Sequence, residues 1–136
     1  MKVNVGDEIP QWEMKSVSAQ RMATMAAILR DPNPVHWDRE VVDSTFGIGK
    51  RTINQGPLGL SYMINMLHCW SGENSIKRIK MGFLVPLVLD EEHVAAKGKV
   101  VAVKPEGKGQ LAECNIWLEK DGERLLDGMA TVFLSK

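Results

Sequence analysis

Residues 57–69, Pro-Leu-Gly-Leu-Ser-Tyr-Met-Ile-Asn-Met-Leu-His-Cys, are apolar nearly all the way round a helix. A helix without a polar face is stable only when other elements cover every side of it. The remainder of the chain must therefore wrap this one segment. The stretch after it supplies the material, with strand candidates at about 75–84, 93–104, 110–119 and 125–134. Glu113, Asn115, Trp117 and Glu119 alternate with Cys114, Ile116 and Leu118, the period of a strand with one face buried. Lys120-Asp121-Gly122-Glu123 carries the Asp-Gly hairpin signal, and Pro105-Glu106-Gly107-Lys108-Gly109 forms a second turn. Strands joined by short turns pair antiparallel. The pattern predicts an α+β chain: an antiparallel sheet long enough to curl around a buried helix. Several other helix-on-sheet folds share this pattern.

The first seventy residues read as helices and loops. Residues 9–17 alternate as a short strand. Ser18 is placed to cap a helix over 19–29, where Met22, Met25, Ala26 and Leu29 share one face. That methionine stripe reads as core packing, because Met fills irregular gaps. Two prolines at 32 and 34 end the helix and stiffen the loop beyond it. Asp38 can cap a short helix through Val42, and residues 46–50 read as loop. Pro57 suits the first position of the apolar helix, and Gly56 before it permits close approach to the backbone. With no repeat, low-complexity tract or linker in its 136 residues, the chain reads as one domain over 1–136.

Composition narrows the function classes. Seventeen basic and seventeen acidic residues cancel, which argues against general electrostatic binding to nucleic acid. Cys69 and Cys114 lie far apart and form no CxxC or Cys/His spacing, which argues against zinc and gives no reason for an oxidising compartment. The first residues hold no apolar signal core, and no run approaches about 18 uninterrupted apolar residues. The expectation is a soluble cytoplasmic protein with no membrane partner.

The segment Asp31-Pro32-Asn33-Pro34-Val35-His36-Trp37-Asp38 sets a carboxylate and an imidazole five positions apart on a proline-stiffened loop. Hydration of a carbon–carbon double bond needs a base to take a proton from water and an acid to give one to carbon, and a rigid loop can hold both groups near one water. Asn33 can brace the turn. The plainer reading makes Asp31 a turn residue and leaves His36 on the surface. Gln55-Gly56-Pro57-Leu58-Gly59 opens the apolar helix, and a helix start offers free N–H groups and partial positive charge to a thioester carbonyl. A glycine-assisted helix start explains it equally well. Lys77, Arg78 and Lys80 form a basic cluster, read either as a solvated face or as a hold on the phosphates of coenzyme A. His68, His93, Ser61 and Tyr62 read as packing or surface residues. The sequence holds no Walker or Rossmann glycine loop and no Gly-x-Ser-x-Gly elbow.

On these residues the chain resembles the MaoC-like dehydratases, the family of (R)-specific enoyl-CoA hydratases. Their loop, Asp-x-Asn-Pro-hydrophobic-His-x-Asp, is matched by Asp31, Asn33, Pro34, Val35, His36 and Asp38. The family's buried helix after a glycine corresponds to Gly56 onward, and its strand with a proline before a turn to residues 81–86. The resemblance implies the hotdog fold, a curved antiparallel sheet around one long helix. It also implies a dimer or higher hotdog oligomer with active sites between chains. The implied activity is hydration of a 2-enoyl-CoA, or dehydration of a 3-hydroxyacyl-CoA. In the implied site, Asp31 and His36 activate one water, with Asp31 its base and His36 orienting it and supplying the proton to the α-carbon, or with the two transfers exchanged, and the Gly56 N–H holds the thioester carbonyl. Asn33, Gln55, Pro57, Lys77, Arg78 and Lys80 are the candidate substrate-binding residues. The chemistry calls for no metal and no cofactor beyond the coenzyme A carried by the substrate. The chain departs from the pattern at Gln55-Gly56, where many members have His-Gly. It departs again at Ala27-Ile28-Leu29-Arg30, and at Pro86-Leu87-Val88-Leu89-Asp90, which replaces Pro-Gly-Asp. These departures are similar to MaoC-like subunits of actinobacterial steroid side-chain degradation, some paired with a second, non-identical hotdog subunit. A hotdog acyl-CoA thioesterase and a non-catalytic acyl-CoA-binding partner subunit are the competing readings.

Overall fold

A computed structural model describes residues 1–84 and 87–136. The elements run β1 (Glu8–Met14), α1 (Ala19–Leu29), a 3₁₀ turn (Pro34–His36), α2 (Arg39–Phe46), α3 (Gly56–Ser71), β2 (Ile76–Phe83), β3 (Val94–Glu106), β4 (Gly109–Lys120) and β5 (Glu123–Ser135). The strands form one antiparallel sheet in the order β1-β3-β4-β5-β2. Helix α3 packs against all five strands. Its Leu58, Tyr62, Met63, Met66 and Leu67 are buried against the inward residues Cys114, Ile116 and Leu118 of β4 and Ala130, Val132 and Leu134 of β5. Full burial of each large apolar side chain contributes about 1.5–3 kcal/mol, so this helix–sheet interface supplies most of the driving force. The Trp12 ring stacks on Tyr62 at 5.6 Å and ties β1 to the same core.

The expected elements are present with altered bounds, each for a local reason. The first strand stops at Met14 rather than residue 17, and its register shifts between Ile9 and Trp12. Pro10 lies within that shift, where a residue without an N–H is tolerated on an edge strand. Ser18 caps α1 by accepting from the Arg21 N–H, and Met22 and Ala26 are buried. Leu29, expected on the buried face, is exposed, because Arg30 enters the left-handed region (φ 52°) and closes the helix there. Asp38 caps α2 through the Glu40 and Val41 N–H groups, and the helix runs to Phe46, past the expected Val42, until Gly47 (φ 64°) ends it. Pro105 and Glu106 belong to β3, paired with Gln110 and Gly109, so the turn tightens to Gly107-Lys108. Asp121 (φ 50°) and Gly122 (φ 79°) both adopt positive φ, as a two-residue hairpin turn of the primed type demands. The proline at 86, expected before a turn after β2, lies outside the described residues. No helix among the described residues is long and apolar enough to cross a membrane.

Candidate active site

The loop after α1 is held by its own side chains. The Asp31 N–H donates to the Ala26 carbonyl at 2.9 Å, which closes the helix end. Oδ1 of Asp31 accepts from the Asn33 N–H at 3.0 Å, and Oδ1 of Asn33 accepts from the Val35 N–H at 3.3 Å. These are two successive side-chain-to-backbone turns of the sort short polar side chains form next to proline. They commit one Asp31 oxygen to the backbone and leave Oδ2 free to point elsewhere.

That oxygen points at His36. The Asp31 Oδ2 to His36 Nε2 distance is 3.4 Å, with the two side chains 30% and 13% exposed. The other ring nitrogen, Nδ1, lies 2.7 Å from the Ile53 carbonyl oxygen. A carbonyl can only accept, so Nδ1 carries the hydrogen and the neutral ring presents a bare lone pair at Nε2. In that neutral form two acceptors face each other across 3.4 Å and neither satisfies the other, whereas a protonated ring would donate its Nε2–H to Asp31. One molecule with two hydrogens, set against both, satisfies them together.

Ile53 is fixed in its turn. Its N–H donates to the Val35 carbonyl at 2.9 Å, it bridges to Leu89, and the next N–H, of Asn54, donates to Val88 at 2.8 Å. Beneath this segment lies Asp90, whose side chain is 2% exposed. Its Oδ2 accepts from Arg39 Nε and Nη2 at 3.2 and 2.8 Å and from the Thr52 hydroxyl at 3.3 Å, and its Oδ1 accepts from Arg51 Nε at 3.2 Å. The Asp90 N–H returns a bond to the Thr52 carbonyl at 3.0 Å. Burial alone would raise the Asp90 carboxyl. The hydrogen bonds from Arg39, Arg51 and Thr52 and the Arg39 charge outweigh it and hold the group below the usual carboxylate range.

The remaining candidates fall in several places. Gly56 opens α3, so its N–H has no acceptor within the helix. The ring of Phe83 lies where a side chain at position 56 would go, which gives the glycine a packing reason as well. Gln55 is buried, its Nε2 donating to the Met22 carbonyl at 2.6 Å and its Oε1 without a partner among the described residues. Pro57 is exposed. Lys77, Arg78 and Lys80 lie on the edge strand β2, Lys77 over the Phe133 ring. His93 lies 3.8 Å from Glu13, and His68 is half-buried on α3. Tyr62 donates to Asn54 at 3.4 Å, and burial raises its hydroxyl, offset in part by Arg21.

Two concavities adjoin these groups, and within one chain they share no lining residue. Asp31, Pro32 and Trp37 line a shallow one of about 370 Å³ against α1. Gly56, Gln55, Asn54, Phe83 and Leu126 are among the walls of another, of about 160 Å³. Neither concavity joins Asp31, His36 and Gly56 within the isolated chain, as the expected common pocket would. What joins the groups is covalent and short: Ile53, which holds His36, lies three residues before Gly56. Sequence reasoning missed the Ile53 carbonyl and the Asp90 cluster. A backbone carbonyl leaves no trace in residue types. The signal for Asp90 is an acid directly after the apolar run Leu87-Val88-Leu89, since a buried carboxylate needs paired cations.

No protein-family model matches the sequence, and no curated protein matches it. Solved structures do match, among them (R)-hydratases, MaoC-like dehydratases and a 3R-hydroxyacyl-ACP dehydratase complex. The R-hydratase PhaJ1 from Pseudomonas aeruginosa, in unliganded form, superposes with a TM-score of 0.83 at 17% identity, over 98% of this chain and 83% of that one. The (R)-hydratase from A. caviae involved in PHA biosynthesis gives 0.82 at 23% identity, over 97% of each chain. The ChsH1-ChsH2 complex from Mycobacterium tuberculosis gives 0.79 at 17% identity, over 98% of this chain and 99% of that one. With a five-stranded antiparallel sheet packed on one long helix, the chain has the hotdog fold that these (R)-hydratases and MaoC-like dehydratases share.

Proposed function

We propose that this chain is a hydro-lyase that adds water to a 2-enoyl-CoA thioester, or removes it from a 3-hydroxyacyl-CoA, with Asp31 and His36 activating one water. The observation that carries the reading is Asp31 Oδ2 and His36 Nε2 held 3.4 Å apart, both of them acceptors while the ring is neutral. A water donating one hydrogen to each is left with its lone pairs directed outward, toward an approaching β-carbon.

In the hydration step, Asp31 takes a proton from the water while the water oxygen bonds to the β-carbon. The electron pair of the double bond moves toward the thioester carbonyl, whose developing charge is met by the Gly56 N–H at the positive end of α3. The proton on Asp31 then passes to the α-carbon on the same face. His36 holds the water by its second hydrogen throughout. Because Nδ1–H is committed to Ile53, the neutral ring has no hydrogen on Nε2 to give, which favours Asp31 over His36 as the donor to carbon. Asn33 and Gln55 support this arrangement by bracing the loop and the helix start.

Lys77, Arg78 and Lys80 are the candidate contacts for coenzyme A phosphates. The separation of the Asp31 and Gly56 concavities within one chain supports a site closed by a second hotdog chain, either a copy or a different subunit. On this reading the protein works in acyl-CoA metabolism in the cytoplasm.

The test is a hydration assay with the purified chain over enoyl-CoAs from crotonyl to steroid side-chain thioesters, monitored by loss of enoyl thioester absorbance. At least one thioester is hydrated, and Asp31→Asn and His36→Ala each lower that turnover by at least about a hundredfold. No hydration of any thioester by chain that self-associates as a hotdog dimer, or near-normal turnover by either variant, overturns the reading. Thiol release from saturated acyl-CoA without hydration would point to a thioesterase instead.

A further inference from the structure

We infer that Asp90 is a positioning residue for the imidazole of His36, acting through Arg39, Arg51 and the Ile53 carbonyl. The inference rests on the proposed hydratase reading for its effect on turnover, but its structural half stands without it. Asp90 is buried and touches neither Asp31 nor His36. It bonds instead to the two ends of the chain segment that frames the ring. At one end Arg39, the first residue of α2, comes three positions after His36 and donates to Oδ2 through two nitrogens. At the other, Arg51 donates to Oδ1 and, through Nη2, to the Asp90 carbonyl, and Thr52 exchanges bonds with Asp90 through both its hydroxyl and its carbonyl. The next residue is Ile53, whose carbonyl fixes the hydrogen on His36 Nδ1.

The consequence is a matter of charge. Arg39 and Arg51 converge on one carboxylate, which is what allows two guanidinium groups to sit close together beside a buried segment. With that carboxylate neutralised, the two cations repel across an amide whose single acceptor oxygen can serve one guanidinium but not both, and the more exposed Arg39 (52% of its side chain) can swing to solvent. Residues 51–53 then lose the anchor that sets the Ile53 carbonyl. The imidazole loses its reason to keep the hydrogen on Nδ1. A ring with the hydrogen on Nε2 directs a donor, not a lone pair, at Asp31 Oδ2, and the seat for the water's second hydrogen is gone. A residue with a merely structural role would lower stability without changing which nitrogen carries the hydrogen.

The experiment uses full-length chain labelled with nitrogen-15 in histidine, comparing wild type with Asp90→Asn and Arg39→Gln. Wild-type His36, in its neutral form, shows the Nδ1–H tautomer. In folded Asp90→Asn the Nε2–H tautomer becomes a major species. Against the thioester the wild type hydrates, kcat falls about tenfold to a hundredfold with KM within about twofold, the cost of a misplaced catalytic group. Arg39→Gln, at a half-exposed site, moves both readouts in the same direction by less, and decides the matter if Asp90→Asn does not fold. Asp90→Glu, which keeps the charge, restores the tautomer at least in part. An unchanged tautomer in a folded variant overturns the inference, as does an effect on KM alone. If the wild type hydrates no thioester, the tautomer still decides the role of Asp90.

Discussion

Side chains of one type take opposite fates in this chain, and the two cysteines show it. Cys69 is exposed near the end of α3, whereas Cys114 points from β4 into the core, where burial, helped by the charge of Glu113, pushes its thiol up to about 12. Only the thiolate reacts with thiol reagents. Native protein is therefore expected to titrate one thiol per chain with Ellman's reagent at pH 8, and denatured protein two; rapid modification of both in the native state would contradict the burial of Cys114. The same distinction between residue type and environment governs the candidate site. The turns at Asp31 and Asn33 were legible in the sequence from the two prolines beside them, whereas His36 was tied to Asp31 chiefly by the resemblance to a family loop. The tautomer of His36 was not legible, because it depends on a carbonyl seventeen residues away that any amino acid at position 53 would supply.

At the scale of elements, the central helix and the β4 alternation were legible because burial imposes a period on the sequence. Helix and strand ends were read less well. Pro105 inside a strand is a choice made by strand pairing, and Arg30 takes the left-handed region in closing the end of its own helix. The Asp90 cluster belongs to this scale, since it ties α2, the 51–54 segment and the 87–92 segment with ion pairs that span 51 and 39 positions of sequence. It makes stability depend on acid. The Asp90 carboxyl titrates lower in the folded protein than in the unfolded chain, where about 3.9 is usual. Its contribution is whole above that ordinary value and is lost as pH falls through the lower, folded one. Asp90→Asn is expected to cost about 3–5 kcal/mol near neutrality, as breaking a buried pair does. Its Tm deficit relative to wild type should shrink below about pH 4. A deficit that stays constant from pH 7 to pH 3 would contradict the paired, ionised carboxylate.

Across the whole molecule, one sheet and one long helix account for nearly all of the core, while the candidate site lies in the connections between α1 and α3. That division was legible: the apolar helix demanded a wrapping sheet, and the polar residues that the sheet did not explain gathered in one loop. An assembly was expected from the family resemblance alone, because exposed residues that could meet a second chain follow no internal period. Exposed Trp37 beside Asp31, and exposed Phe83, Leu84 and Leu87 near the start of α3, lie at the two concavities that one chain leaves apart. The central claim nevertheless concerns one chain's own loop: Asp31 and His36 share a single water. Groups that act on one water act as a unit, and their losses do not multiply. The decisive measurement is the hydration rate of the Asp31→Asn/His36→Ala double variant beside the two single variants, on the thioester the wild type hydrates. The account predicts a double variant no more than a few-fold slower than the worse single variant. Losses that multiply, to about ten-thousandfold from two hundredfold effects, would show two independent contributions and contradict it.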